Sequence, residues 1–459
     1  MTSQPNSASA RDIATVLHPF TNLKTHEEDG PFIIDHGSGV HVTDENGKTY
    51  IEGMSGLWCT SLGFSEQRLI DAAARQMGEL PYNQTFLGRS HATTIDLAER
   101  LLAMSPSPMS KVLFANSGSE ANDTAVKLVW YYNNAHGRPK KRKIIGRLNG
   151  YHGTTIATTS LNGIPTLHQD FNLPIADILH TDCPHHYRFA EPGESEEEFA
   201  NRLAGNLEQM ILDEGPDTVA AFIAEPVMGV GGVIVPPETY FQKVQAVLKK
   251  YEVLFIVDEI ICGFGRTGNM FGSETFGLQP DLMCCAKALS SAYLPISATF
   301  IPEPIYRAMV AESEKIGVFG HGFTYSGHPV TAAVALETLD IYEERDIVGH
   351  VRSIAPRFQS IFQSLADRPL VGESRGVGLM AGIELVADKA SKQPFDPSLK
   401  VGTYLMMRAR EYGLIVRAIG DIVVCAPPLI ISEDEIDELG RRFHKALEET
   451  EAQFAKDAA

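Results

Sequence analysis

Between about residues 68 and 301, short apolar runs of strand character alternate with helical patterns. That alternation restricts the chain to an α/β architecture with a mostly parallel sheet. Helices are expected over 67–78, 93–104, 119–134, 197–214 and 238–251, and strands over 111–114, 143–147, 155–160, 219–223, 254–258, 282–286 and 297–301. Ahead of this region, 39–44 and 48–52 read as two strands around the turn Asp44-Glu45-Asn46-Gly47. Beyond residue 330 the pattern changes. Helices are expected over 331–347, 351–366 and 401–412, a strand over 376–386, and a strand pair over 414–417 and 422–425. A last helix over 432–451 opens with the capping-box pattern Ser432-Glu433-Asp434-Glu435. The division expected is a large domain over 69–330 and a small α+β domain built from both termini, 1–68 and 331–459.

Length and charge narrow the function. The chain has 459 residues, ample for a large core, and no apolar run long enough to span a membrane. Thirty-nine basic against 58 acidic side chains leave a net charge of −19, which repels nucleic acid and anionic lipid and favours a small-molecule partner. Six cysteines without a CxxC pair indicate free thiols in a reducing compartment. The first ten residues read as frayed and lack the layout of a signal peptide, so a cytoplasmic location is expected.

Gly263-Phe264-Gly265-Arg266-Thr267-Gly268 matches a dinucleotide-binding fingerprint in spacing but not in context. Two charges, Asp258-Glu259, end the preceding strand, and a tight glycine-rich turn is the better reading. Asn116-Ser117-Gly118-Ser119-Glu120 lies between a strand and an amphipathic helix, where small residues expose N–H groups and hydroxyls suited to a phosphate; a plain helix cap is the alternative. Asp258 closes a very apolar strand, and Glu225 closes another. A carboxylate there needs a cationic partner or neighbouring N–H groups. Lys287 follows Leu282-Met283-Cys284-Cys285-Ala286 and precedes Ala288-Leu289, a setting that desolvates the amine and favours its neutral form. With an aromatic, Tyr151, after a strand, these are the groups pyridoxal phosphate requires: a lysine for the imine, an aspartate for the ring nitrogen, a phosphate cradle and a stacking ring.

On these segments, with Gly56-Leu57-Trp58-Cys59, Asn149–Gly153, Val257–Gly268 and His321–Pro329, the chain resembles the class III aminotransferases of pyridoxal-phosphate fold type I, and among them the (S)-selective ω-transaminases acting on amines and pyruvate. The resemblance runs from Leu17-His18-Pro19-Phe20 to Ala426-Pro427-Pro428 and implies a mostly parallel seven-stranded sheet in the large domain. It implies Lys287 as the Schiff-base lysine and Asp258 as partner of the ring nitrogen. Ser117, Gly118 and Ser119 would hold the phosphate, Tyr151 and Ile260 the ring faces, with His152 and Glu225 close to the cofactor. Phe323 and Thr324 would reach the phosphate from a second subunit of a homodimer, a tetramer being the alternative. Phe20, Leu57, Trp58, Phe86, Tyr151 and Val230 would wall the substrate pocket, tighter at Val230 than where an alanine stands. Arg417 would pair with a substrate carboxylate and swing aside for a neutral amine. The implied reaction is a ping-pong transfer of an amino group from an amine or ω-amino acid to an oxo acid such as pyruvate. Its rivals are other reactions of the fold (amino-acid transamination, decarboxylation, racemisation) and a non-catalytic cofactor-binding homologue.

Three other features carry less. His185-His186 lacks the spacing of a shared helical face, and no metal is expected there. The basic run 138–143 reads as a solvated loop, and 194–198 as an acidic helix start.

Overall fold

The computed structural model describes residues 6–454. Three strands open the chain, β1 (Ile34–Ser38), β2 (His41–Asp44) and β3 (Thr49–Glu52). The next seven are β4 (Lys111–Ala115), β5 (Lys143–Arg147), β6 (Ile178–Thr181), β7 (Val219–Ala224), β8 (Leu254–Asp258), β9 (Leu282–Cys285) and β10 (Ser297–Ile301). The last five are β11 (Val371–Val377), β12 (Met380–Leu385), β13 (Leu414–Ile415), β14 (Arg417–Ile419) and β15 (Ile422–Cys425).

β4 to β10 form one seven-stranded sheet in the order β4-β10-β9-β8-β7-β5-β6, with β10 antiparallel to both its neighbours and the other pairings parallel. Helices cover both faces, so the central strands are apolar throughout: every residue of β7 and β9 is buried. Because the other six strands run the same way, the C-terminal ends of β4, β5, β7, β8 and β9 meet along one edge. The polar segments that follow them are brought together there. Two four-stranded sheets, β1-β2-β3-β13 and β11-β12-β15-β14, flank this unit, and the parallel pairing of β13 with β3 ties the C-terminal region to the N-terminal one.

Several local expectations are corrected. Residues 155–160, read as a strand because of their threonines, form the helix Ile156–Leu161, since Thr155 and Thr158 cap it reciprocally. The strand that completes the sheet is Ile178–Thr181. The single strand over 376–386 is a hairpin of β11 and β12, turning at Gly378, whose φ is 57° and where a Cβ would lie 2.3 Å from the Arg266 carbonyl oxygen. The expected pair over 414–417 and 422–425 is divided: β13 leaves to join β3, and only β14 pairs with β15. The start of the chain is ordered from Ser7, which caps a helix over Ala8–Thr15; residues 1–5 of the expected frayed end lie outside the described residues. A helix over Glu303–Ile316 had no expectation at all.

Candidate active site

A cavity of about 430 Å³ opens at the C-terminal edge of the large sheet, and Lys287, Asp258, Glu225, Tyr151, His152, Gly118, Ser119, Ile260 and Arg417 all line it. Phe20, Leu57, Trp58 and Val230 complete its wall, with Pro19 beside them. Three expected residues stand elsewhere. Phe86 lines a separate cavity with His321 and Gly322. Thr324 is exposed, and Phe323, half-buried, donates its N–H to Ser326 at 3.0 Å. Ser117 borders the site without lining it; its hydroxyl caps the helix Gly118–Ala135 by accepting the N–H of Glu120 at 3.2 Å.

Asp258 ends β8 with its carboxylate buried. Asn122 Nδ2 at 2.7 Å and His152 Nδ1 at 2.9 Å donate to its Oδ2, and the Ile260 N–H donates to Oδ1 at 3.1 Å. Three converging donors stabilise negative charge away from water. A carboxylate only accepts, so His152 carries its proton on Nδ1, and its buried Nε2 has no partner among the described residues. Asn122 lies one turn into the helix that Gly118 begins, which puts both on the same face.

Lys287 follows β9 with φ at 51°, an unusual backbone conformation for a lysine, and lines the cavity. Burial pulls its amine below the ordinary value; Cys59, Asp258 and Glu225 oppose that fall and Arg417 adds to it. The residue keeps some accessible surface where it lines the cavity. Glu225, after β7, is buried and pushed up by desolvation. It accepts the Tyr151 N–H at 3.1 Å and the Gly229 N–H at 3.0 Å, so one carboxylate pins two lining loops. Arg417, on β14, is pulled below its ordinary value by burial, with Tyr151 opposing; it makes no ion pair among the described residues.

The sequence reading missed three supports. Asn122 carries Asp258. Asn162 accepts the His152 N–H at 2.5 Å and donates to the Gly153 carbonyl at 2.9 Å, fixing the loop that presents Tyr151. Arg147, fully buried at the end of β5, donates to the Glu225 carbonyl at 2.6 Å.

These residues fit pyridoxal phosphate. A Cβ at Gly118 would stand 2.6 Å from Ile260 Cδ1, so glycine alone leaves space between the helix start and Ile260. Gly118 and Ser119, the first residues of that helix, line the cavity, a fitting place for phosphate. Lys287 has no ion-pair partner among the described residues, and Asp258, at the other side, offers the charge a ring nitrogen needs.

The Aminotransferase class-III family model matches residues 23–447. Gamma aminobutyrate transaminase 3, chloroplastic, of Solanum lycopersicum is 52% identical over 456 residues, covering 98% of this chain and 88% of that protein. Vanillin aminotransferase of Capsicum annuum is 52% identical over 437 residues, 95% of each. The structure of the omega transaminase from Pseudomonas jessenii in complex with PMP superposes with a TM-score of 0.97 at 54% identity, covering 99% of this chain and 100% of that one. The chain belongs to the class III aminotransferases, enzymes of pyridoxal-phosphate fold type I that catalyse transamination with that cofactor.

Proposed function

We propose that the enzyme moves the amino group of a primary amine or ω-amino acid to pyruvate. The observation that carries this reading is Arg417: a guanidinium in the cavity wall without a carboxylate partner among the described residues, set among Phe20, Leu57, Trp58, Tyr151 and Val230. The apolar wall suits the carbon skeleton of an amine, and the arginine suits the carboxylate of a small oxo acid. A thermostable omega transaminase, 54% identical to this chain, supports the amine side of this reading: a variant of it engineered for asymmetric synthesis of enantiopure bulky amines carries changes at a tryptophan, a phenylalanine and an arginine numbered 58, 86 and 417, the residue types at those numbers here.

When bound, the cofactor supplies an electron sink for the pair left on the substrate carbon. Lys287 Nζ takes the proton from the amine-bearing carbon, and burial prepares it by favouring the neutral amine. Asp258 would hold the ring nitrogen, anchored by Asn122 and His152; Gly118 and Ser119 would hold the phosphate, and Tyr151 and Ile260 the ring faces. Trp58 and Val230 restrict the size of the substituents.

The same reading makes the enzyme a homodimer. Phe86, Phe323 and Thr324, which lie away from their own chain's Lys287, would complete the site of a second copy. Around them Leu87 is 91% exposed, and Val318 and Tyr325 are 58% exposed, an apolar edge suited to such a contact. It also keeps the domain division at residues 68 and 330 and a cytoplasmic location. The six free cysteines fit a reducing compartment.

The test is a pair of half-reactions on the loaded enzyme. An arylalkylamine, a diamine such as putrescine and β-alanine are each added without acceptor, and pyruvate or a dicarboxylic oxo acid follows. Loss of the yellow absorbance and its return with pyruvate is expected; return with the dicarboxylic acid alone would overturn the choice of acceptor.

A further inference from the structure

The segment that carries Pro19 and Phe20 into the cavity wall is held from both sides by three potential metal ligands. Asp12 lies on the helix Ala8–Thr15, His18 directly precedes Pro19, and His26 lies on the helix Leu23–Asp29. One carboxylate oxygen, Asp12 Oδ1, stands 2.8 Å from His18 Nε2 and 3.1 Å from His26 Nε2. The three ligand atoms all lie within 4.8 Å of one another. An ion bonded at about 2.0–2.1 Å to each ligand separates neighbouring ligands by roughly 2.9–3.4 Å. The two spacings to Asp12 Oδ1 therefore need shifts of only a few tenths of an ångström.

Hydrogen bonding leaves this cluster incomplete. His18 is hydrogen-bonded to Asp12, but His26 Nε2, on a side chain only 9% exposed, approaches the same oxygen at 3.1 Å without hydrogen-bonding geometry and has no other partner among the described residues. An unpartnered buried nitrogen is costly, and a cation between the three groups satisfies it. Two imidazoles and one carboxylate suit a borderline divalent ion such as Zn²⁺ or Co²⁺, whereas Mg²⁺ and Ca²⁺ prefer oxygen alone. Asp12 and His18 keep 22% and 30% side-chain exposure, so water can fill the remaining positions. The other cluster of similar composition, His185 with Glu373 and Glu384, differs in one decisive respect. Arg188 and Arg375 already bond its carboxylates, Arg375 reaching Glu384 at 3.0 Å, so fixed cations occupy the place of an ion.

We propose that Asp12, His18 and His26 form a divalent-metal site that cross-links the two N-terminal helices around the turn bearing Phe20, beside the active site. The ion closes the short loop between His18 and His26, and that loop contains Pro19 and Phe20.

Untagged, cofactor-loaded enzyme is freed of metal with a chelator and equilibrated with Zn²⁺ by dialysis. One tightly held zinc per chain is expected, weakened at least about tenfold in His18→Ala and in His26→Ala and retained in His185→Ala. Tryptic cleavage after Lys24, whose side chain is 74% exposed, is expected to slow severalfold on adding Zn²⁺ to the parent enzyme and to be insensitive to it in His26→Ala. Absence of zinc binding, zinc retained by both histidine variants, or bound zinc without protection at Lys24 would each overturn the proposal.

Discussion

At the residue scale the site separates groups whose local sequence betrays them from groups that only the fold explains. Lys287 was legible because a lysine closing an apolar run has few other places to go, and Asp258 because it ends a strand that is otherwise apolar. Asn122 was not, because its partner is 136 residues away and an asparagine in a helix is ordinary. Arg147 and Asn162 escaped for the same reason: they act on a backbone carbonyl, an N–H and a loop, none of which leaves a mark beside them in the sequence. Arg417 gives a direct expectation. Arg417→Ala removes a charge-assisted contact to a substrate carboxylate while leaving the apolar wall in place. Steady-state kinetics should show KM for pyruvate rising roughly tenfold or more, with a much smaller change for a neutral amine. Equal changes for both would remove the arginine from the role.

At the element scale, what matters is that five parallel strands end on one edge of the sheet. The segments after β4, β5, β7, β8 and β9 supply Gly118, Tyr151, Glu225, Ile260 and Lys287. Most of these strands were visible as apolar runs. The one misread, 155–160, shows why: β-branched threonines favour strands by composition, but the reciprocal cap at Thr155 and Thr158 favours a helix, and the cap depends on geometry rather than composition. The hairpin of β11 and β12 was likewise hidden, since its turn relies on the backbone freedom of Gly378. The helix that Gly118 begins is tested by Gly118→Ala. Alanine favours a helix, so folding of the cofactor-free protein should be unaffected. The added Cβ, 2.6 Å from Ile260 Cδ1, displaces Ile260 toward the cofactor's place. Pyridoxal-phosphate affinity, measured by fluorescence titration, should therefore fall by about tenfold or more; unchanged affinity would separate Ile260 from the cofactor.

At the scale of the whole molecule, the two flanking four-stranded sheets close over the edge where the strands end. They bring Arg417 from β14 and Trp58 from the region after β3 against Lys287 from the large sheet. The cavity is thus assembled from parts separated by up to about 400 residues of chain, which is why its outline was recognisable only as a resemblance and not from any one segment. The net charge of −19 leaves the outside uninviting to polyanions, while in the cavity Lys287 and Arg417 stand with Asp258 and Glu225, so that charges of both signs are available to a cofactor and its substrates. In the proposed reaction Lys287 moves the proton. The most direct measurement follows absorbance when an amine donor is added to the loaded parent enzyme and to Lys287→Ala, each reconstituted with cofactor. Rapid bleaching in the parent and a loss of at least about a thousandfold in rate in a variant that still holds cofactor is the expected result. Bleaching at an undiminished rate in Lys287→Ala would show that Lys287 does not move the proton.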